Sequence, residues 1–144
     1  MEVTQSTNNF KIKISVKDSK YATGRRKTSI AKIWLKKGSG QISINGKDYK
    51  EYFKRANHKM QLLRPFEIIN EQTSYDVRCN VKGGGLSGQV GALVHGISKA
   101  LVMFDSNSKT TLKKEKLTTR DSRSVERKKP GRKKARRSFQ FSKR

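Results

Sequence analysis

Residues 75–104 read YDVRCNVKGGGLSGQVGALVHGISKALVMF, and the fold turns on how this stretch is parsed. Tyr75, Val77, Cys79 and Val81 alternate with polar residues, the period of a strand with one buried face. Beyond the glycines the period changes. Val90, Leu93, Val94, Ile97, Leu101 and Phe104 recur three and four apart, which predicts a helix from about Ser87 to Phe104 whose apolar stripe covers a sheet. Ser87 is the expected N-cap. Gly88, Gly91, Ala92 and Gly96 leave the early helix without bulk, which suits close packing on a sheet and equally the approach of a phosphate backbone to the helix start.

Gly83, Gly85 and Gly88 also satisfy G-x-G-x-x-G between a strand and a helix, the setting of a dinucleotide site. A Walker loop is excluded, because Gln89 and Val90 stand where Lys and Ser or Thr are required. The dinucleotide reading needs an acidic residue at the end of a second parallel strand about twenty residues on. Asp105 has the distance but closes the helix itself. The next segment, Ser106 to Lys116, is polar and then charged, so no second strand is expected and no crevice forms.

Outward from this unit, Phe10, Ile12, Ile14 and Val16 alternate with polar residues as a half-buried edge strand, where the lysines discourage further pairing. Ser29 to Lys36 alternates again, stops at Lys37-Gly38-Ser39-Gly40, and is answered by Gln41 to Ile44 before Asn45-Gly46. This reads as a hairpin with a further turn beyond it. Asp48 to Phe53 and the segment up to Leu63 have helical character in short pieces. They are expected to stop at Arg64-Pro65, since the residue before proline avoids the helical region. A short strand is expected next, from Phe66 to Ile69.

At 144 residues the chain is one domain by length. Thirty-five Lys and Arg against eleven Asp and Glu leave a net charge of +24. Folding has no use for that excess, which repels itself until an acidic partner neutralises it. No run approaches the roughly eighteen apolar residues of a membrane span, so nucleic acid leads as partner and no membrane is expected. Cys79 is the single cysteine; no intramolecular disulfide is possible, and it reads as a small core residue. With His58 and His95 distant in sequence, no metal-ligand set is expected, and His95 reads as a packing or hydrogen-bonding residue. Residues 1–6 lack the apolar stretch of a secretory signal and the Arg-rich character of a transit peptide, so nothing marks the chain for export.

Beyond Leu117 apolar residues become scarce. Residues 127–144 hold ten basic side chains and no acidic one, with Phe139 and Phe141 among them. Such a segment cannot bury enough surface to fold alone, and fully stretched it would span roughly 60 Å. Two aromatic rings amid the charges favour RNA, on whose bases rings stack.

The motifs Tyr21-Ala22-Thr23-Gly24-Arg25-Arg26-Lys27-Thr28, Gly83 to Gln89, His95 to Leu101, Leu117-Thr118-Thr119-Arg120-Asp121, Val125 to Lys129 and Lys134 to Arg144 together resemble the universal ribosomal small-subunit protein nine family, bacterial or mitochondrial type. The likeness covers residues 21 to 144 in register. Two features depart from it: residues 1–20 precede the family's usual start, and Pro130 stands where an aromatic commonly precedes the glycine.

The resemblance implies an α/β fold like domain 2 of ribosomal protein five, a four-stranded sheet with helices on one face, plus a long extended basic C-terminal tail. It divides the chain into an N-terminal extension (1–20), a globular rRNA-binding domain (21–117) and the tail (118–144). It places the protein in the small-subunit head, on the 3′ major domain of the rRNA and beside other head proteins, in the bacterial cytoplasm or mitochondrial matrix. The residues expected on rRNA are Arg25, Arg26, Lys27 and Lys82; Gly84, Gly85 and Ser87 of the glycine turn; Arg120 and Arg123; and Arg127, Lys128, Lys129, Arg132, Lys133, Lys134, Arg136 and Arg137 of the tail. Lys143 and Arg144 are expected on the backbone of the anticodon stem-loop of peptidyl-site tRNA. No cofactor and no catalysis are implied. The competing readings are an enzyme that uses the glycine loop on a nucleotide and a free-standing basic chaperone or DNA-compacting protein.

Overall fold

The structure is a computed structural model that describes residues 18–71 and 73–143. The predicted strand at Phe10 to Val16 lies outside them. Five strands, β1 (Lys20–Arg26), β2 (Ser29–Lys37), β3 (Ile42–Ile44), β4 (Lys47–Asp48) and β5 (Tyr75–Lys82), form one sheet in the order β1-β2-β5-β3-β4. Four helices, α1 (Tyr49–Tyr52), α2 (Ala56–Ile69), α3 (Leu86–Phe104) and α4 (Ser108–Lys114), accompany it.

Alternation decides which face is covered. Ala31, Ile33 and Leu35 of β2 and Val77, Cys79 and Val81 of β5 are buried, while Ile30, Lys32, Arg78, Asn80 and Lys82 are exposed. Helices therefore lie on one face, as expected for an alternating sheet. The stripe of α3 supplies the other half of the core: Val90, Leu93 and Ile97 are fully buried and Leu101 nearly so. Burial pushes the Cys79 thiol pKa well above its ordinary value, as befits an inert core residue.

Three expectations about the sheet need correction. Among the described residues the sheet has five strands, not four, because Asn45 and Gly46 both adopt positive φ (51° and 82°). That reverses the chain in two residues and pairs Ser43 with Asp48. The two-residue strand β4 is too short to show a period. Secondly, β2 and β3 are not a hairpin, since β5 lies between them, antiparallel to β2 and parallel to β3. The hairpin of β2 is with β1, closed at Lys27 (φ 51°) and Thr28. The Asn45 side chain helps hold β3 to β5: it donates to the Val81 carbonyl (3.1 Å) and accepts from the Val81 N–H (2.8 Å).

Thirdly, no strand forms at Phe66 to Ile69. Helix α2 runs through Pro65 and ends at Asn70 in the left-handed region (φ 59°). Proline removes one helical hydrogen bond, yet Leu62, Pro65 and Phe66 fall on one helical face and are all buried. Burial of that face outweighs the local preference.

The expected cap also moves. Gly85, not Ser87, is the N-cap of α3. Ser87 sits inside the first turn, its hydroxyl 3.3 Å from Nε2 of His58. Asp105 ends α3 as predicted, and α4 comes directly after it.

Candidate nucleic-acid interface

The β1–β2 turn, the glycine turn and the start of the C-terminal segment meet at one corner of the body. The hydroxyl of Ser29 donates to the Gly83 carbonyl at 3.0 Å. Gly83 and Gly84 have φ of 74° and 62°. A side chain on Gly84 would overlap the Ser29 hydroxyl and lie 3.2 Å from Thr28 Oγ1, whereas nothing lies within 4 Å of the position a Gly85 side chain would take. Gly84 is thus needed for packing, and Gly85 faces open space. The bare early face of α3 has a like explanation: side chains at Gly88 and Gly91 would meet Ser29 and Arg26 of the hairpin.

Beside this turn Arg26, Lys27, Arg123, Ser124 and Val125 line a shallow depression of about 270 Å³. Arg26 is its keystone. One Arg26 nitrogen donates to the Arg123 carbonyl at 2.5 Å, and another lies 2.9 Å from the Asp121 carboxylate. Asp121 also receives the Arg123 side chain (2.8 Å) and backbone N–H (3.0 Å). The tail is therefore fastened to the body by a carboxylate held between two guanidinium groups.

The Arg123 hydrogen bonds, helped by the charge of Arg26, hold the Asp121 pKa well below the ordinary carboxylate range. With the folded pKa depressed, the tie is complete above the unfolded value of about 3.9 and is lost only as pH falls through the folded value. It is thus insensitive to physiological pH. Asp121→Asn should release the segment at neutral pH, speeding tryptic cleavage after Arg123 while leaving the urea midpoint of the body unchanged. Unaltered cleavage would mean that the fastening lies elsewhere.

Other expected residues lie apart from this corner. Arg25 and Lys82 stand on the open face of the sheet, in register on either side of Ile30. Arg120 is exposed at the start of the C-terminal segment. His95, half-buried, accepts a hydrogen bond from the Arg25 N–H at its Nδ1 (3.3 Å). Burial and then the charge of Lys99 lower its pKa, so it stays neutral and structural. Lys32 and Arg78 were missed in the sequence, although the two-residue alternation that names the buried residues also places these two on the open face.

From Thr118 to Lys143 no helix or strand forms, and all side chains but Thr118, Asp121 and Ala135 are exposed. The segment is not extended throughout. Glu126 receives two Arg136 nitrogens at 2.7 and 3.0 Å, the Lys133 N–H donates to the Arg137 carbonyl at 2.8 Å, and Arg132 donates to the Arg136 carbonyl at 2.8 Å. Gly131 (φ 71°) makes the bend. Arg132 and Arg136 thus spend donors on shaping a loop, while Arg127, Lys128, Lys129, Lys134 and Arg137 project from it. Lys143 is exposed; Arg144 lies outside the described residues.

The arrangement has the chemistry of an anion cradle, with guanidinium forks suited to phosphate oxygens. Among the described residues no three His, Cys, Asp or Glu side chains converge as a metal site, and no helix is long and apolar enough to cross a membrane. The turn that matched a nucleotide fingerprint is packed on Thr28 and Ser29, and the element after α3 is a helix. Such a body, with its cations at a packed corner and along an exposed terminal segment, defines an RNA-binding α/β protein.

The pattern of the ribosomal protein S9/S16 family matches residues 24–144. The chain belongs to that family, and is a small-subunit ribosomal protein that binds rRNA within a ribonucleoprotein active in translation.

Proposed function

We propose that this chain is a structural element of the small-subunit head. It grips the 3′ major domain of the rRNA through the Arg26, Lys27 and Arg123 corner, through Arg25, Lys82 and Arg120, and through the basic residues from Arg127 to Arg137. Neighbouring head proteins are its protein contacts. Lys143 and Arg144 reach the anticodon stem-loop of peptidyl-site tRNA. The globular body (21–117) and the tail (118–144) divide the work: one docks and the other threads. The observation that carries the reading is the Asp121 fastening, which fixes the origin of a segment that carries exposed cations and no helix or strand. Affinity here comes from phosphate neutralisation, and position from the rigid body.

Deleting residues 141–144 tests the division. Incorporation into small subunits is expected to stay near normal, while peptidyl-site tRNA loses roughly 1 to 3 kcal/mol, the worth of hydrogen bonds to charged groups. Filter binding of tRNA to purified wild-type and truncated subunits at two salt concentrations measures it. Equal affinities at both would assign the terminal residues to rRNA packing alone.

A further inference from the structure

The sheet face opposite the helices carries a patch that the corner and the tail do not use. Strand register sets Tyr21, Trp34 and Arg78 in one cross-strand row. The Tyr21 and Trp34 rings are 5.4 Å apart and tilted by 46°, and the Arg78 guanidinium lies 5.8 Å from the Trp34 ring centre. Trp34 is half-buried between its neighbours, whereas Tyr21 is 45% exposed. Two residues along the strands, Lys32 and Asn80 join Ile30 and Lys82 around a depression of about 280 Å³. Asp76, two residues from Arg78 on the same strand, accepts from the N–H groups of Ser39 and Gln41 at 2.8 and 2.9 Å, so it is occupied by a loop. Positive charge predominates around an aromatic pair of which Tyr21 is exposed.

We infer that the part of this open face around Trp34 is a second RNA surface, on which an unpaired base of a single-stranded segment stacks on Tyr21 beside Trp34 while Arg78 and Lys32 meet the adjoining phosphates. The inference rests on the reading of the chain as an RNA binder and adds a site and a substrate form. Charge complementarity selects a polyanion. The rings then select a strand with free base faces over a duplex, whose bases are already stacked on one another. Residues two apart on one strand point to the same face, so the ring row and Lys32 share the open face and a chain lying along the strands meets both.

The protein has one tryptophan, so Trp34 emission reports this face alone. The full chain is titrated with deca-adenylate RNA, with a blunt RNA duplex and with poly-L-glutamate, tracking Trp34 emission, its quenching by acrylamide, and the anisotropy of labelled RNA. Deca-adenylate is expected to change Trp34 emission in step with anisotropy and to shield the ring from acrylamide, while the duplex binds without either effect. Tyr21→Ala should weaken deca-adenylate binding about fivefold or more, the lower end of what stacking on a ring contributes. Deca-adenylate binding with unchanged Trp34 emission and shielding overturns the surface and leaves RNA binding standing. Equal shielding by duplex or by poly-L-glutamate overturns the choice of single-stranded RNA. Failure of both RNAs to bind overturns the underlying reading as well.

Discussion

Gly24→Ala should cost the body about 3 kcal/mol or more, the upper end of overpacking penalties, as a lowered urea midpoint of the free protein. Gly24 is where β1 passes under α3. A side-chain carbon there would overlap the Ala92 carbonyl oxygen and sit 2.5 Å from the Gly96 nitrogen. These are backbone atoms, so no rotamer change can make room. Relief would require α3 to lift from β1, opening the layer that holds Leu93 and Ile97 fully buried. Against a total stability of about 5 to 15 kcal/mol, that is a large share. Gly85→Ser is the control. It stands in open space at the N-cap of α3, where serine is favourable, and should shift stability by less than about 0.5 kcal/mol. Similar midpoints for both variants would mean that the β1–α3 approach is looser than described.

Replacing Arg127, Lys128, Lys129, Arg132, Lys133, Lys134, Arg136 and Arg137 together by glutamine should cause the largest loss of RNA affinity. Each phosphate neutralised contributes about 0.7 to 0.9 to the slope of log affinity against log salt, and six to ten such contacts amount to roughly a thousandfold or more between 50 and 200 mM salt. Arg136 already pairs with Glu126, so the slope should fall by roughly five, short of the full eight-contact value. A salt series of filter binding to a 3′ major-domain rRNA fragment reads this directly. A change in slope below about one would show that the tail does not run along phosphates. Because these side chains are exposed and none joins the core, the urea midpoint of the body should be unaffected.

The parts of the fold legible in the sequence were those where burial has a period. Tyr75 to Val81 and the α3 stripe carry enough repeats to declare strand and helix, and the structure places both as read. Pro65 misled because a local backbone preference was weighed without the partner surface that Leu62 and Phe66 share with it. The β2–β3 hairpin misled for a related reason. Adjacency in sequence suggests pairing, but β5, about thirty residues further along, supplies the edge that both strands use.

The candidate interface divides along the same line. Charge excess, the glycine turn, the basic terminal run and the family motifs are properties of composition and order, so they could be read before any coordinates and sufficed to point to RNA. The sequence by itself therefore determined the chemical class of the partner, the buried faces of β2, β5 and α3, and the segment too polar to join the core. Only the tertiary structure decided that Arg26 and Arg123, 97 positions apart, share Asp121, that Gly84 serves packing while Gly85 faces outward, and that Tyr21, Trp34 and Arg78 form one row. Those facts depend on strand order and on the approach of α3 to β1. Both are set by long-range burial, which leaves no local period in the chain to read.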